Sequence, residues 1–136
     1  MPAYNAAKTL AKVVADIPKG VVDNIILVDD HSSDETAAVA RKLGLSVVVH
    51  PQNRGYGGNQ KTCYTLALSD GADVVVMIHP DYQYDSSLTG EMVRPIIEGR
   101  YDVMLGSRIR TRDGVLAGGM PKYKYFGNRF LTFTEN

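Results

Sequence analysis

The sequence predicts an α/β fold built on a mostly parallel sheet with helices on both faces. Three observations carry this. Short apolar runs recur along the chain, at Asn24–Val28, Ser46–Val49 and Val74–Ile78, without the apolar/polar alternation of a sheet wetted on one side. Segments of helical periodicity separate them, the pattern of strand, crossover helix and parallel strand. Two of the runs also end abruptly in polar, chemistry-bearing residues: Asp29-Asp30-His31, and then His79, Asp81, Gln83 and Asp85. Open parallel sheets bind their ligands at the carboxyl ends of the strands, so the polar clusters belong to one site.

Met1–Asn5 reads as the end of a first strand and its turn. Asn5 is the expected N-cap of a helix with Leu10, Val13, Val14 and Ile17 on its inner face, closed by Pro18 and Gly20. After the strand Asn24–Val28, Ser32 and Glu35 have capping-box spacing and open a helix through Ala37, Val39, Ala40 and Leu43 that Gly44 ends. Ser46–Val49 is the third strand. The segment Asn53–Asn59, NRGYGGN, is expected as a glycine-bearing loop, with a helix from Asn59 through Cys63, Leu66 and Ala67 to Asp70 and Gly71. The longest apolar run, Val74–Ile78, is expected as the central strand. A helix over 87–98 follows with Leu88, Met92 and Ile96 inward and Asp85 as its cap, then a fifth strand over 102–106, a polar loop, and a helical pattern at Phe126, Phe130, Leu131 and Phe133.

Composition narrows the function. Of the 136 residues, 15 are Lys or Arg and 15 Asp or Glu, so no basic field favours nucleic acid and no acidic tail favours disorder. The single Cys63 cannot form an internal disulfide and reads as a small buried residue, which fits a cytoplasmic protein. No stretch has the ~20 apolar residues of a transmembrane helix. The length suits a single domain over residues 1–136, expected to be truncated at both ends. An incomplete sheet edge near residues 1–5 would invite pairing with a second copy, a homo-oligomer.

Each motif has a chemical reading beside a plainer one. Asp29 and Asp30 can accept hydrogen bonds from a nucleotide's base or ribose, or they can simply cap the turn. The glycines of NRGYGGN can cradle phosphate, with Arg54 and Lys61 adding charge, or can form an ordinary turn; the pattern is neither a Walker loop nor a dinucleotide fingerprint. His79, Asp81 and Gln83 alternate, so an extended segment aims them at one metal or one diphosphate; the plainer reading packs His79 and leaves Asp81 capping a turn. Asp81 suits Mg²⁺ or Mn²⁺. Arg108, in Gly106-Ser107-Arg108, is a forked donor suited to phosphate or to a surface ion pair. Arg110, Arg112, Lys122 and Lys124 make the next stretch locally basic.

In register, MPAYNAA, VDDHSSDET, NRGYGGN, HPDYQYD and GSR resemble the inverting glycosyltransferases of family 2 with the GT-A fold, a three-layer α/β/α Rossmann-like architecture, and more narrowly the polyprenyl-phosphate mannose or glucose synthases. The resemblance implies that Pro2, Tyr4, Asp29 and Asp30 line the nucleotide, with Arg54 and Gly55 beside it. It implies that Asp81 holds Mn²⁺ or Mg²⁺ on the sugar diphosphate, that Gln83 supports it, and that Arg108, with Lys124, holds phosphate. His79 stands where the family's motif has its first aspartate, a softer, neutral ligand in place of a carboxylate. The implied reaction moves a sugar from a UDP- or GDP-linked donor to a polyprenyl phosphate or a saccharide by single displacement with inversion, as in cell-envelope or polysaccharide biosynthesis at the cytoplasmic face of a membrane. A binding fragment or degenerate relative without turnover is the alternative. A sugar-1-phosphate nucleotidyltransferase would need a glycine-rich signature after the first strand, where Pro2-Ala3-Tyr4-Asn5 stands, and an oxidoreductase lacks its glycine fingerprint.

Overall fold

The computed structural model describes residues 1–106. Within the compact unit Met1–Met104, three parallel strands, β1 (Pro2–Ala3), β2 (Ile26–Asp29) and β3 (Ser46–Val49), form a sheet in that order. Pro2 pairs with Val28, and Ile26 to Asp29 pair with Ser46 to Val49 in step. The connections are the helices α1 (Leu10–Asp16) and α2 (Thr36–Lys42). After β3 comes α3 (Gly55–Ser69), and a short 3-10 turn (Ser86–Leu88) leads into α4 (Thr89–Ile97). This is the expected α/β fold.

Alternation along β2 separates its two faces. Leu27 joins Leu10 and Val13 of α1, Ile17 just after it, and Ala40 of α2 in the main core, while α3 packs against β1 and β2. Leu27 and Val28 are both fully buried, as a sheet covered on both sides requires. Cys63 is buried on α3, as expected.

The helix starts depart from the sequence reading. Asn5 is not a cap: it takes φ +50 in a turn, and α1 begins only at Leu10. The Ser32/Glu35 capping box is not used either. Asp34 instead accepts from the Thr36 backbone N–H at 3.0 Å and from the Thr36 hydroxyl, because Ser32 is turned back onto Asp29. α3 starts at Gly55, four residues before the expected Asn59, so the glycines form its first turn rather than a loop. Glycine's poor helix propensity is overridden there by fixed neighbours: Gly55, at φ +74, donates to Asn53 Oδ1 at 2.9 Å, and Arg54 N–H is held by Asp30. Asp85 does cap the turn before α4, accepting from Ser87 N–H at 3.0 Å, but Leu88 is exposed, Met92 and Ile96 are half-buried, and Thr89, Val93 and Pro95 are the buried residues of α4.

The largest correction concerns Val74–Ile78. It makes no strand ladder with the described residues and is half-buried, with Ile78 packed on the edge of the core. Apolar character alone does not make a strand; a ladder needs a neighbour with N–H and C=O groups to spare. β1 has two residues, one of them a proline with no N–H to donate, and Met1 O and Ala3 O are already bonded to the N–H groups of Val28 and Asp30. The expected strand over 102–106 is likewise absent, and those residues are exposed. Ser107, Arg108, Arg110, Arg112, Lys122, Lys124 and the helical pattern from Phe126 lie outside the described residues.

Candidate active site

A cleft of about 580 Å³ opens at the carboxyl ends of β1 and β2, within the size range of small-molecule sites. One wall is the chain leaving β1, Pro2 to Ala6, with Lys8 and Thr9 leading into α1. The opposite wall is the start of α3, with Asn53, Gly55, Tyr56 and Asn59. His79, Pro80 and Asp81 close one side, and Asp30 lies at the base.

The floor is held by the motif that follows β2. Thr36 Oγ1 accepts from Ala6 N–H at 2.7 Å, Asp34 Oδ2 from Ala7 N–H at 3.0 Å, and Ser32 Oγ from Asn5 N–H at 2.9 Å. Asn5 Oδ1 returns the bond, accepting from Ser33 N–H at 2.9 Å. Four polar side chains of VDDHSSDET, those of Ser32, Ser33, Asp34 and Thr36, therefore bind this protein's own turn. Burial would raise the Asp34 carboxyl, but the Thr36 hydroxyl and the Ala7 and Thr36 N–H groups outweigh it and hold its pKa below the ordinary value.

Asp30 is a structural hub, with only 3% of its surface exposed. Its Oδ1 lies 2.7 Å from His50 Nδ1 and accepts from Arg54 N–H at 2.8 Å, while its carbonyl accepts from Asn53 Nδ2 at 3.1 Å. His50 Nε2 in turn lies 3.0 Å from Thr62 Oγ1 on α3. Burial alone would raise the Asp30 carboxyl; the His50 bond, the Arg54 N–H, the His50 charge and the Gly55 N–H together leave it lowered. Asp29 is equally buried, its Oδ1 taken by Ser32. Asn59 Nδ2 bridges Ala3 O at 3.3 Å and Val28 O at 3.0 Å, pinning α3 to both strands. Among the described residues no buried side-chain N or O lacks a partner.

On the 79–81 side, His79 stacks on Tyr56, with ring centroids 5.3 Å apart, and its Nε2 lies 3.1 Å from the Tyr56 hydroxyl. Gln60 Nε2 donates to the same hydroxyl at 2.6 Å. Burial holds the imidazole below its ordinary pKa, against the opposing pull of the Asp81 carboxylate. Asp81 is exposed, with Oδ1 accepting from Gln83 N–H at 3.0 Å.

Of the residues singled out in the sequence, Pro2, Tyr4, Asp30, Gly55, His79 and Asp81 meet around this cleft. Asp29 and Arg54 are not among the residues lining it: Asp29 Oδ1 accepts from Ser32, and the Arg54 N–H donates to Asp30. Gln83 follows the turn, and Arg108 lies outside the described residues. No group of three His, Cys, Asp or Glu side chains able to hold a metal forms among the described residues. Sequence reasoning missed His50, Tyr56, Asn59 and Thr9. His50 and Asn59 did carry a signal, being polar residues at the end of a strand and on the inner face of a helix.

Residues 1–135 match the family model described as glycosyl transferase family 2. The chain belongs to that family. An uncharacterized protein of Methanocaldococcus jannaschii is 32% identical over 98% of this chain and 54% of its own length. A protein of Methanococcus voltae named UDP-N-acetylglucosamine–dolichyl-phosphate N-acetylglucosaminyltransferase is 31% identical over 98% of this chain and 59% of its own. Glycosyltransferase AglJ of Haloferax volcanii is 30% identical over 96% and 41%. The chain thus spans about half the length of these family 2 relatives. No helix among the described residues is long and apolar enough to cross a membrane.

Proposed function

We propose that the family 2 domain represented here moves a sugar from a UDP- or GDP-linked donor to a polyprenyl phosphate, with inversion at the anomeric carbon. The observation that carries this reading is the cleft at the carboxyl ends of parallel strands, where Asp81 stands beside the surfaces offered by Tyr4 and Tyr56. The name of the Methanococcus voltae relative supports a dolichyl-type phosphate as acceptor and UDP as the donor nucleotide.

Pro2, Tyr4 and Gly55 line the nucleotide side, and buried Asp30, with Asp29 behind it, keeps Arg54 and Gly55 in place against it. The donor set fits a hard divalent ion that arrives with the diphosphate: one exposed carboxylate, Asp81, with an imidazole two residues away, suits Mg²⁺ or Mn²⁺ completed by phosphate oxygens and water better than a closed protein cage. Asp81 would hold that ion, with His79 as its neighbour and Gln83 shaping the turn. When bound, the ion neutralises charge on the departing diphosphate. Arg108 and Lys124 are assigned to donor or acceptor phosphate. An acceptor phosphate oxygen is already anionic, so displacement at the anomeric carbon needs little general-base help. A lipid acceptor places the reaction at the cytoplasmic face of a membrane.

Titration calorimetry of the full chain with UDP- and GDP-sugars, with and without Mn²⁺, tests this. The expected result is metal-dependent binding of one donor class that is lost in Asp81→Ala. A folded chain that binds neither donor overturns the reading.

A further inference from the structure

Asp81 sits on a strap, residues 80–86, that runs along one face of α1. Thr9 Oγ1 donates to Pro80 O at one end, and Ser86 Oγ donates to Val13 O at 2.9 Å at the other. Both fastenings join the strap to a helix whose Leu10 and Val13 are fully buried. Between them is a third contact of a different kind. Tyr82 takes φ +62, a left-handed conformation that bulky residues rarely adopt. Its hydroxyl donates to Asp16 Oδ2 at 2.8 Å, and Lys12 Nζ lies 3.8 Å from its ring centroid. Lys12 and Asp16 are one helical turn apart on α1, so they receive the ring as a pair.

We propose that the Lys12–Tyr82–Asp16 clasp is a positioning device for Asp81, setting the strength of metal-diphosphate binding in the cleft; this rests on the reading of Asp81 given above. The left-handed Tyr82 folds Gln83 N–H back onto Asp81 Oδ1, at 3.0 Å, and fixes the carboxylate's rotation. Tyr82 remains 40% exposed, and the hydroxyl and cation contacts add to its packing in holding the strained backbone. An anchor of this kind adjusts geometry rather than global stability. The Asp81 residue is thereby tied to α1 through Tyr82, while His79 two residues earlier contacts Tyr56 on α3.

The test uses Tyr82→Phe, Asp16→Ala and their double variant beside Asp81→Ala, all in the full chain, with UDP and GDP as probes, each with and without Mn²⁺. Tyr82→Phe keeps the ring over Lys12 and removes only the bond to Asp16. The expected result is metal-dependent affinity about tenfold weaker in Tyr82→Phe and in Asp16→Ala, with no further loss in the double variant. Metal-free nucleotide binding and the melting temperature should stay at wild-type values, which a merely structural role would not predict. In an Asp81→Ala background, Tyr82→Phe should have no effect. If Asp81→Ala abolishes metal-dependent binding while Tyr82→Phe and Asp16→Ala bind as wild type, the clasp is overturned and the donor reading stands. If Asp81→Ala itself binds as wild type, both are overturned.

Discussion

Replacing His50 by alanine should destabilise this domain more than almost any other polar substitution. The His50 ring is 4% exposed and is the link between the buried Asp30 carboxylate and Thr62 on α3. Without it Asp30 Oδ1 keeps the Arg54 N–H, and a buried charge is left short of its main partner. Breaking a buried pair in this way costs about 3–5 kcal/mol, a large share of the roughly 5–15 kcal/mol that stabilises a domain. The pH dependence has a definite sign. In the wild type the Asp30 carboxyl is held below its ordinary value of 3.8, so its contribution is present above that pH and lost as pH falls through the lower native value. In His50→Ala the largest of the contacts that oppose burial is gone, so the carboxyl rises from its lowered native value. The penalty should therefore be largest at neutral pH and shrink on acidification. Urea unfolding of both chains, from pH 7 down to the lowest pH at which the wild type stays folded, measures this. A loss below about 1 kcal/mol at neutral pH, or a penalty that does not change with pH, would refute the reasoning.

Other substitutions probe separate parts of the scaffold. Asn59→Ala removes the side chain that bridges Ala3 O and Val28 O, and should lower the urea-unfolding free energy by about 1–3 kcal/mol. Leu10→Ala, at a fully buried core position on α1, should cost about 2–5 kcal/mol in the same assay. Gly44→Ala isolates backbone strain, because φ is +77 and the added methyl meets nothing within 4 Å; a loss of about 1–2 kcal/mol is expected, read as a drop in melting temperature. Asp34→Ala should cost about 1 kcal/mol, since the carboxylate caps the start of α2 and holds the Ala7 N–H.

Much of the site was legible because it is local. β3 occurs at the expected Ser46–Val49 and β2 within two residues of its expected bounds, since short apolar runs between turn signals are decided by burial. Asp85 caps because the Asx turn it makes needs only the next two residues. The errors lie where a distant partner decides. NRGYGGN reads as a loop by composition, yet Asp30, 24 residues before Arg54, fixes the turn from which α3 starts early. Ser32 and Glu35 have the spacing of a capping box, yet Ser32 is occupied by Asp29 and by Asn5 N–H, 27 residues away. Val74–Ile78 has the composition of a strand and lacks a ladder neighbour among the described residues.

The sequence by itself determined the fold class, the strand ends at which the polar residues gather, and the set of motifs whose order marks the family; these follow from periodicity, turn chemistry and residue type over a few neighbouring positions. Only the tertiary structure decided what each polar group does. It made Asp30 the buried partner of His50 at the base of the cleft, bound Ser32, Ser33, Asp34 and Thr36 to the 5–7 turn, and left Asp81 exposed at the cleft on a strap clasped to α1. Carboxylates and hydroxyls take whichever partner packing brings within about 3 Å. That choice depends on contacts across the chain, which no local pattern records.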